Sequence, residues 1–183
     1  MRRALYVLGQ LSDQNIEWMI TQGQRERVLP GTLLIEEGGP SDVLYIVLDG
    51  ALGIYIDVDG RDTQIAQRGV GDILGEMSFI EDLPASATVK AVEESILYSI
   101  PKAVLAARLE QDRDFAARFY RGIAISLSYR LRESMEQATP GKEDITGGEI
   151  DESEELDPTV LDSIYLAGLR FDRIVRRMME QTR

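Results

Sequence analysis

The spacing of hydrophobic positions changes along the chain and divides it into helical and strand-rich parts. Residues 11–23, LSDQNIEWMITQG, carry apolar side chains at helical spacing, with Ser12 placed to cap the helix and Gly23 to end it. From about residue 25 to residue 101, short β-branched runs alternate with Pro-Gly, Gly-Gly-Pro and Asp-Gly turn signals. This rhythm predicts a compact antiparallel barrel or jelly roll.

Three segments of this part predict strands joined by short turns. LYIVLDGALGIYI predicts two strands joined around Asp49-Gly50, and YIDVDGRDTQI predicts a hairpin around Asp59-Gly60. ATVKAVEESILYSIP adds two more strands, joined through Glu93-Glu94.

The pattern returns to helical spacing after the strands. PKAVLAARLEQD predicts a helix that Pro101 opens, and a longer helix follows from about residue 112 to residue 137. Apolar side chains recur along the longer helix at a spacing of four, namely Phe115, Phe119, Ile123, Leu127 and Leu131. We therefore expect an α+β fold, an antiparallel jelly-roll barrel with an N-terminal helix, two C-terminal helices and an extra final helix.

The chain divides into three predicted regions: residues 1–137 form the jelly-roll domain, 138–158 an acidic flexible linker and 159–183 an amphipathic C-terminal helix. The linker holds eight acids with no basic residue among them, namely Glu143, Asp144, Glu149, Asp151, Glu152, Glu154, Glu155 and Asp157. The final helix carries an apolar seam, formed by Leu161, Ile164, Gly168, Phe171, Val175 and Met178.

Composition removes several classes of function. The 183 residues include no cysteine and no histidine, so disulfides, Ser-His-Asp catalysis and His or Cys metal sites are not expected. No acidic spacing resembles a calcium-binding loop either, so we expect no metal site. The net charge of −12 argues against a nucleic-acid partner. No apolar run approaches the length of a membrane span or of a signal peptide's core, so we expect a cytoplasmic protein.

The segment GDILGEMSFIEDLPASATVKA, residues 71–91, combines a glycine turn with a single carboxylate ahead of an alternating strand. Glycine turns of this kind expose backbone amides that bind anions. We call residues 71–91 the cradle. Together with PGTLLIEEGGPSDVLYIVLDGALGIYI and SIPKAVLAARLEQD, the cradle resembles the cyclic nucleotide-binding domain family, over roughly residues 9–136.

In that family the glutamate of the Gly-Glu pair accepts the ribose 2′-hydroxyl, and backbone amides of the cradle face the cyclic phosphate. The resemblance therefore implies cyclic AMP or cyclic GMP as the ligand. It implies these ligand-binding residues: Gly75, Glu76, Met77, Ala85, Ser86, Ala87 and, near where the family contacts the base, Ser134. The alternative for Glu76 is that its carboxylate only caps nearby backbone amides.

The family places a phosphate-pairing arginine nine residues after that glutamate, where this chain has Ala85. Because losing one member of a desolvated charge pair costs about 2–5 kcal/mol, we expect weak binding of either cyclic nucleotide, or none. Three explanations remain open. Another base, Arg61 or Arg68, takes the place of the missing one; the ligand is less anionic; or the fold has lost nucleotide binding and kept its interaction surfaces.

The two long helices predict partners. In the family the long helix forms the dimer and transmits the signal. The resemblance therefore implies a homodimer through residues 112–136, with Phe119, Ile123 and Leu127 as contacts. The alternative is that this apolar face belongs to the domain's own core. We expect the C-terminal helix to dock on protein, either its own barrel or a partner. Its arginines allow an alternative as a basic amphipathic membrane helix, which we do not favour because acidic residues dilute their charge.

Two functions from different classes fit these features. The first is a non-catalytic regulatory sensor that passes the state of its ligand through its C-terminal helices to a partner. The alternative is a protein-interaction module with a degenerate nucleotide pocket. FAARFYRGIAISLSYRLRE and ELDPTVLDSIYLAGLRFDRIVRRM resemble bacterial proteins found with peptide (bacteriocin-type) export systems. Since only one helix is predicted after residue 137, we expect no DNA-binding helix-turn-helix domain.

Overall fold

Two short helices begin the fold in a computed structural model that describes residues 4–137 and 176–177. They are α1 (Ala4–Gln10) and α2 (Asp13–Gln22). Ser12 caps α2 through a reciprocal pair of bonds with Asn15, in which each side chain accepts the other's backbone N–H at 3.2 Å. The helix predicted over residues 11–23 is confirmed. α1 was not predicted, because a helix of this length shows too little of the apolar repeat.

Within the described residues, eight strands form two antiparallel sheets of four strands each. One sheet has the order β1-β8-β3-β6 and the other β2-β7-β4-β5. The strands are β1 (Gln24–Val28), β2 (Leu33–Ile35), β3 (Val43–Asp49), β4 (Leu52–Val58), β5 (Arg61–Arg68), β6 (Ile73–Leu74), β7 (Thr88–Ala91) and β8 (Ser95–Pro101). The predicted α+β class with an antiparallel jelly roll is confirmed.

The turns between strands fall into two kinds. The predicted hairpin is present between β4 and β5, with positive φ at both Asp59 and Gly60 (54° and 79°), as a tight two-residue turn requires. Asp49-Gly50 and Glu93-Glu94, by contrast, carry the chain from one sheet to the other. A Cβ on Gly50 would clash with Ser95 Oγ, so these two corners of the roll pack directly together.

β3 separates two hydrophobic cores because successive side chains of a strand point to opposite faces. Leu44, Ile46 and Leu48 pack against the helices, whereas Tyr45 and Val47 lie between the two sheets. This strand therefore joins the roll to the helical layer.

Three more helices complete the described fold: α3 (Glu76–Glu81), α4 (Lys102–Gln111) and α5 (Arg113–Gln137). Pro101 is not the first residue of a helix, as predicted, but ends β8 and precedes α4 with extended backbone. Asp112 separates α4 from α5 and caps α5, since its side chain accepts the backbone N–H of Phe115 at 3.0 Å.

The predicted dimer contacts on α5 need correction. Phe119 and Ile123 are 0% and 1% exposed within a single chain, and Phe119 packs edge to face with Phe79 and Phe115. Leu127 is partly buried against the same core. Phe119 and Ile123 therefore cover their own domain, which was the alternative interpretation, and present no open surface to a second copy, whereas the homodimer itself stays a prediction.

The predicted linker, residues 138–158, lies outside the described residues, as does the predicted C-terminal helix apart from Arg176 and Arg177. Those two residues are helical, and Arg177 forms an ion pair with Glu17 of α2. In the part of the chain that the structure describes, no helix has the length and hydropathy needed to cross a membrane.

Candidate functional site

The cradle folds into β6, the short helix α3 and β7. Gly75 stands between β6 and α3 with φ of +83°, and a Cβ at this position would lie 2.6 Å from the carbonyl oxygen of Val43. Only glycine fits this backbone without strain. The tight turn places Glu76 at the start of α3, where its side chain is buried at 4% exposure.

A cavity of about 350 Å³ lies between the cradle and α5. All seven residues predicted to bind a ligand line it: Gly75, Glu76, Met77, Ala85, Ser86, Ala87 and Ser134. Its remaining walls are mostly aliphatic, with Ile35, Ile54, Ile65, Leu74, Val89, Leu127 and Leu131 among the lining side chains. The structure therefore brings the whole predicted set together, while their role in binding stays a prediction.

The wall at position 85 is apolar and fixed by its backbone. Ala85 is buried, its N–H donates to the Gly39 carbonyl at 3.0 Å, and its own carbonyl accepts the Gly38 N–H at 2.8 Å. Next to it, Ser86 is exposed, and its hydroxyl lies 4.0 Å from the sulfur of Met77. This wall offers a hydroxyl but no charge.

α5 places a basic residue, Arg130, in the wall of the cavity. Arg130 lines the cavity, where its Nη1 pairs with the carboxylate of Glu76 and its Nη2 donates to the carbonyl of Ile73. The Arg130 side chain is only 15% exposed, and its Nε is buried with no acceptor among the described residues. The carboxylate of Glu76 therefore does not simply cap backbone amides; it pairs with a buried guanidinium.

The sequence prediction missed Arg130 because it lies 54 residues from Glu76. One signal was present in the sequence. Arg130 is three residues after Leu127 and next to Leu131, so it shares a face with the apolar stripe of the long helix. A charged residue within an apolar stripe requires a buried partner.

A second cation supports the cradle from α4. Lys102 is buried, and its Nζ donates to Ser41 Oγ at 2.8 Å and to Ser78 Oγ of α3 at 2.7 Å. Burial lowers the pKa of Lys102, while the nearby carboxylates of Glu76 and Asp42 act in the opposite direction. Each of the two C-terminal helices thus contributes one cation to the cradle.

The two arginines that the sequence offered as replacement bases differ in position. Arg68, at the end of β5, lines the cavity, whereas Arg61 begins β5 beside the exposed hairpin and is not part of the lining. Ser134 lines the cavity through an exposed side chain whose hydroxyl donates to the Arg130 carbonyl at 3.0 Å.

These groups are suited to binding. They supply a carboxylate acceptor, guanidinium donors and aliphatic walls, in a pocket with one side on the roll and the other on a helix. Among residues 4–137 and 176–177, no cluster of three acidic side chains could hold a metal ion.

Comparisons with known proteins agree with the family resemblance that the sequence motifs indicate. A family model described as cyclic nucleotide-binding domain matches residues 25–112. A cAMP-dependent protein kinase regulatory subunit from Blastocladiella emersonii is 26% identical over 98 residues, which cover 53% of this chain and 24% of that protein. This chain thus spans about a quarter of that relative's length.

Two solved structures are similar as well. The regulatory domain of Toxoplasma gondii PKA, solved with cAMP, is 28% identical with a TM-score of 0.54, covering 58% of this chain and 42% of that one. A cyclic nucleotide-binding domain from Methylobacillus flagellatus has a TM-score of 0.67 at 23% identity, covering 76% of this chain and 84% of that one. The second likeness concerns the fold alone.

Proposed function

Since residues 25–112 belong to the cyclic nucleotide-binding domain family, we propose that this chain is a non-catalytic regulatory sensor whose ligand is a cyclic nucleotide, cyclic AMP or cyclic GMP. The ligand occupies the cavity between the cradle and α5. Its presence is passed through the C-terminal helices to a protein partner. The relatives whose names include cAMP support the choice of ligand.

One observation carries this proposal: the cavity is walled by the cradle on one side and by α5 on the other. A ligand in it touches both Glu76 and the helix that bears Leu127, Arg130 and Ser134. Because a ligand shifts a conformational equilibrium only through contacts that differ between the two states, contact with the helix is what a sensor needs.

Glu76 is the acceptor for the ribose 2′-hydroxyl in this proposal. A carboxylate has lone pairs for several donors, so pairing with Arg130 leaves Glu76 able to accept a hydroxyl as well. Binding is expected to be weak, because the buried wall at Ala85 carries no charge.

A second candidate function is a protein-interaction module whose pocket no longer binds a nucleotide, tied to peptide (bacteriocin-type) export. It is favoured by the same buried Ala85 and by the Glu76 carboxylate being already engaged by Arg130. In either function we propose that the chain acts as a homodimer in the cytoplasm, without nucleic acid.

Isothermal titration of the full chain with cyclic AMP and with cyclic GMP tests the two functions. We expect a dissociation constant above about 1 μM for the unmodified protein, and Ala85→Arg should tighten binding by at least about tenfold because a guanidinium can pair with phosphate through two bonds. Sub-micromolar binding by the unmodified protein would contradict the expected weakness. No binding by either protein, with both folded, would favour the interaction module.

A further inference from the structure

We infer that Arg130 of α5 binds the anionic group of the ligand and makes the site selective for an anionic ligand over a neutral nucleoside. This inference rests on the proposed function, because it concerns the same cavity. A residue of helix α5 thus takes the role of the phosphate-pairing arginine that is absent at position 85.

The position of Arg130 is the first support. Its guanidinium lies in the cavity wall, in contact with both Glu76 and the Ile73 carbonyl, and so reaches the two elements that begin the cradle. A ligand hydroxyl on Glu76 would therefore lie close to this guanidinium.

The second support is the unused hydrogen-bonding capacity of the guanidinium. Nη1 and Nη2 each carry two N–H groups, and the bonds to Glu76 and to the Ile73 carbonyl use one on each nitrogen. Because the Arg130 side chain is 15% exposed and lines the cavity, an anionic oxygen there could accept charge-assisted hydrogen bonds from the remaining N–H groups.

Other cations near the cavity are less suited to the role. Arg68 lines the cavity at the end of β5, but its guanidinium donates an exposed hydrogen bond to the Gln67 carbonyl at 3.0 Å. Water screens a charge in that position more than it screens Arg130. Lys102 is not part of the lining and donates to Ser41 and Ser78 instead.

The arrangement also accounts for the expected weak binding. Glu76 neutralises part of the charge on Arg130, so an anionic ligand meets a smaller field than a cradle arginine would provide. In return, the ligand's anionic group contacts α5 directly. Occupancy of the cavity then holds α5 to the cradle more firmly than the Glu76 contact alone.

Titrations with cyclic AMP and with adenosine, its neutral counterpart, test the assignment on four proteins: unmodified, Arg130→Met, Arg130→Met with Ala85→Arg, and Arg132→Met. Arg132 is an exposed arginine on the same helix outside the cavity lining, so its loss removes the same charge from the same helix. Thermal melting checks that each protein is folded.

We expect Arg130→Met to weaken cyclic AMP binding by at least about tenfold while adenosine binding changes by less than about threefold. Adding Ala85→Arg should restore cyclic AMP affinity, because it returns a guanidinium to the same cavity. Arg132→Met should leave both affinities unchanged.

Three outcomes overturn the inference. They are cyclic AMP binding that survives or tightens in Arg130→Met, an equal loss of both ligands, and failure of Ala85→Arg to restore binding.

If Arg130→Met does not fold because Glu76 is left buried and unpaired, the double variant Glu76→Gln, Arg130→Met replaces it and is compared with Glu76→Gln alone. Absence of cyclic nucleotide binding in the unmodified protein would instead contradict the proposed function, and this inference with it.

Discussion

Glu76 is a carboxylate at 4% exposure, and its burial requires the opposite charge of Arg130 beside it. Removing one member of a buried pair costs about 3–5 kcal/mol, because the remaining charge has no compensation. The pair is therefore weak evidence of added stability. It holds a hydroxyl acceptor in place inside an otherwise aliphatic cavity.

Tyr98 allows a prediction at the scale of one residue. Its ring is fully buried, its hydroxyl donates to the Ile20 carbonyl, and burial raises its pKa from 10.0 to about 12. Between about pH 10 and pH 12, an unfolded chain has lost this proton while the folded chain keeps it, so the free energy of unfolding falls as the pH rises. A shift of about two units corresponds to a loss of at most about 3 kcal/mol.

Urea unfolding of the unmodified protein and of Tyr98→Phe, at several pH values from 9 to 12.5, measures this loss. Tyr98→Phe lacks the ionising group, so its free energy of unfolding should fall less steeply over the same range. Parallel pH profiles for the two proteins would contradict the assignment to Tyr98.

α5 shows how one element serves several surfaces. Phe115, Phe119 and Ile123 fill the core between the helices and the roll, and Leu127 and Arg130 continue the same side into the cavity. Tyr120 and Met135 remain 45% and 62% exposed. A homodimer through α5 would therefore use such exposed side chains instead of the core-facing ones.

Phe119→Ala tests the role of the core-facing side of α5. We expect it to lower the free energy of unfolding by about 3–5 kcal/mol, because it leaves a cavity among Phe79, Phe115 and their neighbours. The matched change Met135→Ala, at an exposed position of the same helix, should stay within about 0.5 kcal/mol.

Urea unfolding gives the free energies for this pair, and light scattering on the same samples gives the native mass against the 20.5 kDa of one chain. If Phe119→Ala is less stable only because a dimer dissociates, as a lower native mass would show, Phe119 is a subunit contact and not a core residue. A mass of one chain at high micromolar concentration would contradict the proposed homodimer.

For the molecule as a whole, the pair between Arg177 and Glu17 connects the C-terminal end of the chain to α2. Both side chains are about half-exposed, and exposed pairs contribute about 0–1 kcal/mol. We therefore propose that the apolar seam predicted in residues 159–183 provides most of the docking energy, with Arg177 fixing its position.

Arg177→Gln should change the melting temperature by at most about 4 °C, since it removes only an exposed pair, whereas deleting residues 159–183 should lower it by clearly more. Flotation with anionic vesicles at physiological salt distinguishes the membrane alternative. Recovery of the full chain with vesicles, lost in the deleted protein, together with unchanged melting temperatures, would contradict docking on protein.

The sequence by itself determined the features that depend on neighbouring residues. Ser12 marks the start of α2, Asp59-Gly60 marks a hairpin, and the spacing of four on α5 marks its buried face, because capping, turn conformation and helix periodicity act over a few residues. The ordered motifs also identified the cradle. Its glycine, Gly75, has a positive φ, which is a local requirement that leaves a mark in the sequence.

Only the tertiary structure decided which distant residues meet. The Asp49-Gly50 turn has the same local chemistry whether the chain folds back on itself or crosses to the other sheet, and packing against Ser95 selects the crossing. The buried face of α5 fits its own core or a second copy equally well until the roll is in place beside it. The charge missing from the cradle is supplied from 54 residues away, because burying Glu76 requires a cation and the path of α5 places Arg130 against it.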